Sequence, residues 1–105
     1  MDADLILKVL NRDRWLCQEC GFQARAIHHI VPRSRYGKKG QELRDDERNL
    51  ISLCEDCHLY KDGGAHRTIK RKEHLELLAK LHGYTYTERR FLEVLNAGNC
   101  NVAVC

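Results

Sequence analysis

Two Cys-x-x-Cys turns constrain this chain more than any other feature. Cys17-Gln18-Glu19-Cys20 and Cys54-Glu55-Asp56-Cys57 stand on either side of residues 21–53. Each pair places two thiolates on one tight turn, and two such turns supply the four sulfur ligands of a closed tetrahedral zinc site. The separation exceeds that of a short zinc ribbon, so a sizeable insertion must loop out between the turns. A redox dithiol normally comes as a single pair, and two pairs in one short chain point instead to a structural Zn2+. Binding free energies of structural zinc peptides are about 10–16 kcal/mol, comparable with a whole-domain stability of about 5–15 kcal/mol. Chelation is therefore expected to unfold the chain. Cys100 and Cys105 lack the paired spacing and read as free thiols in a tail without a structural signal.

With 105 residues, the chain is expected to form a single domain over 1–105 with a modest core that a metal would supplement. Its apolar stretches fall far short of the roughly 20 residues needed to span a bilayer. Asp2 and Asp4 behind Met1 are wrong for a secretory leader. The expectation is a cytoplasmic protein with no membrane partner and reduced cysteines. The net charge of +3 is only mildly basic. Arg25, Arg33, Arg35, Lys38, Lys39, Arg44 and Arg48 cluster in 25–48, and Arg67, Lys70, Arg71 and Lys72 form a second group. Such clusters suit phosphate contacts, but charge alone favours a solvated face.

Hydrophobic periodicity predicts an α+β chain. Residues 4–13 read as a helix with Leu5, Ile6, Val9 and Leu10 on one face. Ala26–Val31 reads as a strand stopped by Pro32, and Asn49–Leu53 as a second strand. Between them, 33–48 is polar loop. A helix beginning near Glu55 carries His58 until Gly63-Gly64 interrupts it. Ile69–Leu81 reads as a helix with Ile69, Leu75, Leu78 and Leu81 on its apolar stripe and Gly83 as its stop. Thr87 is the expected cap of a last helix carrying Phe91, Leu92 and Leu95, ended by Gly98. Trp15 is expected to pack in the core beside the zinc. His74 and His82 fall in the helical pattern and receive no role.

The histidines carry the chemistry. His28 and His29 are neighbours in the first strand, and neighbouring strand residues point to opposite faces. One can bind a metal while the other addresses a water or a substrate. His58 follows Cys57 directly, so the cysteine site would hold it close to the strand bearing His28. Few protein ligands and free positions for water and phosphate are what an open metal site needs.

Three strings now fall into a known order. Cys17-x2-Cys20, then Ile27-His28-His29-Ile30-Val31-Pro32-Arg33, then Asn49-Leu50-Ile51-x-Leu53-Cys54-x2-Cys57-His58 resemble the HNH endonuclease family over residues 15–66. The resemblance implies a small ββα-metal (His-Me finger) core with a four-cysteine structural zinc, flanking helices, and a helical extension over 68–98. It further implies a phosphodiester hydrolase cutting DNA, taken as double-stranded, to leave 5′-phosphate and 3′-hydroxyl ends. Position by position, His29 is the implied general base, and an unperturbed imidazole titrating near about 6.5 suits that task. His28 and His58 are the implied ligands of one catalytic divalent cation: Mg2+, Mn2+, Ni2+, Co2+ or Zn2+. Asn49 is the implied asparagine that holds the loop and orients the site. The third ligand is Asp62 or His66. Asp62 lies one helical turn beyond His58 on the same face, and His66 lies two turns on, beyond the glycines. Arg33, Arg35, Lys38, Lys39 and Arg67 are the candidate phosphate contacts. Members with the four-cysteine knuckle occur in bacteria and phages, which would supply any protein partners. The alternative is a non-catalytic, zinc-ribbon-like nucleic-acid-binding module, which would need none of the paired histidines, Asn49 or His58. A RING-like adaptor fits less well, since it normally holds two zinc ions.

Overall fold

The computed structural model describes residues 2–31, 44–60 and 70–96. Helix α1 spans Ala3–Arg12, strand β1 Ala26–His29, strand β2 Leu50–Leu53, helix α2 Arg71–His82 and helix α3 Arg89–Asn96. A single 3-10 turn, Glu47–Asn49, leads into β2, and a single π-helical turn, Asp56–Tyr60, follows it. The described residues form a small α+β arrangement consistent with a ββα-metal core. Among them, no helix is long and apolar enough to cross a membrane.

Asp2 starts α1 as an N-cap, its carboxylate accepting the Leu5 backbone N–H at 2.7 Å. The helix buries only Val9, so packing alone holds it weakly. Its last residues supply the attachment. The Arg12 guanidinium grips Asp13 through two hydrogen bonds, 2.8 and 2.9 Å, and also donates to the carbonyls of Glu47 and Leu50 at 2.7 and 2.6 Å. The buried Asp13 carboxylate accepts the Ser52 backbone N–H at 3.0 Å. One bidentate pair thus fastens the end of α1 to both ends of β2.

Arg14 and Trp15 then adopt consecutive left-handed conformations, φ 59° and 60°, costing about 1–2 kcal/mol each. Hydrogen bonds from Trp15 N to Leu10 O (2.8 Å) and from its indole N–H to Asn11 Oδ1 (2.8 Å) hold the reversal. Trp15 is accordingly 46% exposed. This corrects the expectation of a core tryptophan: its indole N–H is committed to the Asn11 side chain on the helix it follows.

β1 and β2 are antiparallel, with His28 opposite Ile51 and His29 opposite Leu50. All four residues of β2 are buried and all four of β1 half-buried. The expected strand over Ala26–Val31 therefore ends at His29, although Ile30 N still bonds Asn49 O at 2.9 Å. The expected helix carrying His58 is only a π-turn within the described residues.

The core joins Ile30, Val31, Ile51 and Leu53 to Leu75, Leu78, Tyr86 and Phe91, and includes Cys17, Cys54 and Cys57. α2 ends where expected, at left-handed Gly83 (φ 69°), whose N–H returns to Ala79 O. Its buried face is His74, Leu75 and Leu78, whereas Leu81 is 53% exposed. The expected stripe thus holds at Leu75 and Leu78 and fails at Leu81 in the last turn, while His74 adds a buried imidazole that the apolar pattern left out. α3 begins after Glu88, whose carbonyl accepts from Phe91 N and Leu92 N at 3.0 Å. Glu88 thus holds the capping place expected of Thr87. Phe91 is buried, Leu95 packs partly against the core, and Leu92 faces solvent.

Arg48 ties this last helix down. It binds Asp46 and both carboxylate oxygens of Glu88, at 2.7 and 3.0 Å, and stacks over the Phe91 ring. Burial works against ionisation of Asp46, but Arg48 outweighs it and holds the carboxyl below the usual range. Glu88 is held low chiefly by its Arg48 hydrogen bonds.

Removing Asp13 leaves the half-buried Arg12 charge without its partner. Asp13→Ala is expected to lose about 3 kcal/mol or more in urea unfolding; a loss below about 1 kcal/mol would contradict this account of the α1 attachment. Both Asp46 and Glu88 have lowered folded-state pKa values, so their contribution is present above the ordinary carboxylate range and lost as pH falls. Glu88→Gln should make the decline of the urea midpoint below about pH 4.5 shallower than in the wild type, and an unchanged slope would exclude that contribution.

Candidate metal centre and histidine cluster

The two Cys-x-x-Cys turns meet in space. The first follows α1 in a small hairpin closed by the Leu16–Gln23 bridge and by Cys17 N to Phe22 O at 2.6 Å. Gln18 N donates to Ser52 O at 3.0 Å, which pulls this hairpin against β2. The second turn is the end of β2 itself. The four sulfurs lie within 4.8 Å of one another, and Cys20 and Cys54 Sγ are 3.5 Å apart. Zinc–sulfur bonds of about 2.3 Å give a tetrahedron with edges of about 3.8 Å, so the set fits one zinc ion. The 3.5 Å separation excludes a disulfide, which needs about 2.05 Å.

The electrostatics agree with that fit. Burial opposes ionisation of Cys17, but backbone N–H groups of Cys54, Cys20 and Glu19 overcome it and bring the thiol down to about 7. The Cys57 thiol is pushed up, first by burial and then by the three neighbouring cysteines. One thiolate is favoured and a second is penalised unless a cation joins them.

His58 is placed by this cluster. It follows buried Cys57, and its N–H bonds Cys54 O at 3.0 Å. Across from it, β1 presents His28, with ring centroids 5.2 Å apart in an edge-on arrangement. Two imidazoles at this distance can share a divalent ion, and imidazole nitrogen accepts most first-row metals. A third ring lies near: His74 of α2, 6.0 Å from His28.

His29 looks elsewhere. Its Nε2 lies 3.0 Å from Asp45 Oδ1. The Arg44 guanidinium first, and His29 itself, hold the Asp45 carboxyl below the usual range against burial. An ionised carboxylate only accepts, so it places the proton of a neutral His29 on Nε2 and leaves Nδ1 with the basic lone pair.

Asn49 is fully buried and spends its amide on the chain around the histidines. Oδ1 accepts Val31 N at 2.8 Å, and Nδ2 donates to Val31 O at 3.2 Å and Arg44 O at 3.0 Å. It staples the end of β1 to the segment carrying Asp45.

Asp62, His66, Arg33, Arg35, Lys38, Lys39 and Arg67 lie outside the described residues. Of the basic run in 25–48, Arg44 and Arg48 are engaged in ion pairs with Asp45, Asp46 and Glu88. Sequence reasoning passed over Asp45 and His74. Asp45 was one acid in an Arg-Asp-Asp-Glu-Arg run, and His74 was one polar letter in an amphipathic helix. Only the register of Asn49 against Val31, and the burial of the α2 face, single them out.

Residues 17–64 match the family model described as HNH endonuclease. Over 43 residues the chain is 40% identical to the mitochondrial DNA mismatch repair protein mutS homolog of Sarcophyton glaucum, a stretch covering 41% of this chain and 4% of that protein. No solved structure matches the chain. The two-stranded sheet, the four-cysteine cluster and the match to the HNH endonuclease family model coincide on one stretch, residues 17–64.

Proposed function

We propose that the chain is a divalent-metal-dependent DNA endonuclease, in which His29 activates the attacking water and His28 and His58 hold the catalytic ion. The observation that carries this reading is the pairing of His28 with His58 at 5.2 Å beside a carboxylate-oriented His29. A binding module has no use for either arrangement. The HNH family match supports action on nucleic acid, and double-stranded DNA is the proposed substrate. The relative's printed name associates the matching segment with a DNA mismatch repair protein, which is in keeping with a DNA substrate.

His28 and His58 would hold the ion, with Asp62 or His66 as the proposed third ligand. When bound, it supplies charge stabilisation to the phosphate and the leaving oxygen. His29 Nδ1 accepts a proton from water as the water oxygen forms its bond to phosphorus. The bond to the 3′-oxygen breaks, and that oxygen takes a proton from solvent, leaving a 5′-phosphate and a 3′-hydroxyl. Asp45 holds the Nε2 proton and later stabilises the imidazolium. Asn49 keeps Asp45 and His29 in register through Arg44 O and Val31. Arg33, Arg35, Lys38, Lys39 and Arg67 are the proposed phosphate contacts, and the cytoplasm of a bacterial or phage-infected cell is the proposed setting.

Plasmid nicking tests the reading. With Mn2+ or Mg2+ the protein is expected to cut supercoiled DNA, and EDTA to stop it. His29→Ala should lower the rate by about a hundredfold or more. Intact plasmid with every metal would leave a nucleic-acid-binding module as the remaining reading, and equal cutting by the variant would overturn the role of His29. Asp45→Asn should also slow cutting, by about tenfold or more, because an amide can donate to Nε2 and so favour the wrong tautomer. The four cysteines are proposed to hold structural zinc. Its stripping by a strong chelator should abolish the cooperative thermal transition, and a metal-free protein that still melts cooperatively would contradict a structural role.

A further inference from the structure

His74 lies outside the motif, yet it is only 3% exposed. Its Nε2 is buried and, among the described residues, makes no hydrogen bond. Glu19 Oε1 lies 3.6 Å from it. That oxygen takes a hydrogen bond from Lys70 at 2.8 Å, and among the described residues the second Glu19 oxygen is buried without a partner. The His74 ring also lies beside His28, 6.0 Å away and nearly perpendicular.

A leucine would fill the space on α2 beside Leu75 and Leu78 without leaving a buried nitrogen unpaired. The position is costly for a histidine unless the ring orients something. Glu19 sits inside the first cysteine pair, between Cys17 and Cys20. A continuous line of contacts therefore runs from the sulfur cluster through Glu19 and His74 to His28.

We propose that His74 is a positioning residue that fixes the His28 ring toward His58, and that Glu19 and Lys70 fix His74 in turn. The inference rests on the reading of His28 and His58 as metal ligands. The cysteine cluster then places both ligands: His58 through the backbone beside Cys57, and His28 through Glu19 and His74. Outer groups that orient metal-binding imidazoles typically change affinity by about 10–100-fold.

Zinc-loaded protein comprising the whole 105-residue chain, its zinc content measured at one per chain, is titrated with Mn2+ and read by electron paramagnetic resonance. The imidazole nitrogen resonances of His28 are recorded before Mn2+ is added. His74→Leu keeps the packing and removes the ring nitrogens. It is expected to weaken Mn2+ binding about tenfold or more and to shift the His28 resonances, with zinc content unchanged. His74→Gln, which keeps a polar side chain, should restore part of the affinity. Where His74→Leu does not fold, Glu19→Gln carries the test, with a smaller loss in the same direction. Wild-type binding with unchanged affinity and unchanged His28 signals in the variants overturns the role of His74 alone. A wild type that binds no Mn2+ removes the metal-ligand reading, and the His28 resonances then decide: a shift in His74→Leu upholds the positioning role, and no shift overturns it.

Discussion

Four cysteine sulfurs lie within 4.8 Å of one another, and three of the cysteines are buried in the same cluster as Ile51, Leu53, Leu75 and Phe91. Thiols at this density cannot all ionise without a cation, and the opposed shifts of Cys17 and Cys57 express that conflict. A metal here belongs to the core itself. The apolar residues around it come from the ends of β1, from β2, from α2 and from the α3 region. Withdrawal of a cation from the proposed zinc site would leave mutually repelling groups at their common point.

The sheet turns that anchor into a site. β2 delivers Cys54 at one end and Asn49 at the other, and its antiparallel register sets His28 and His29 opposite Ile51 and Leu50. His28 thereby meets the ring placed by Cys57, while His29 meets Asp45. The two imidazoles have different partners because they are neighbours on one strand. Arg12 and Asp13 brace β2 from α1, and Arg48 braces the turn before it from α3. The flanking helices thus stiffen the strand that carries the cluster.

Much of this was legible in the sequence where residue identity implies geometry. Paired cysteines specify a tetrahedral set, adjacent histidines in a strand specify opposite faces, and Gly83 marks the end of α2. Other features depended on partners distant in the chain. Trp15 looked like a core residue because nothing local reveals that its indole N–H bonds the Asn11 side chain across a left-handed turn. Leu81 looked equivalent to Leu78, but it lies in the last turn of α2 and is exposed, while His74 is buried with Leu75 and Leu78. Asp45 was hidden because a carboxylate between arginines resembles a solvated ion pair. Its meaning comes from Asn49, which draws the segment carrying it toward the end of β1.

The central claim is that one cluster of cysteines holds His58 against His28 so that the two can share a second ion. Anomalous diffraction from crystals of the zinc-loaded protein soaked in Mn2+ tests it most directly. The account predicts a zinc peak among Cys17, Cys20, Cys54 and Cys57 and a separate manganese peak bonded to the rings of His28 and His58. A single metal in the crystal, or manganese bound away from both histidines, would contradict it.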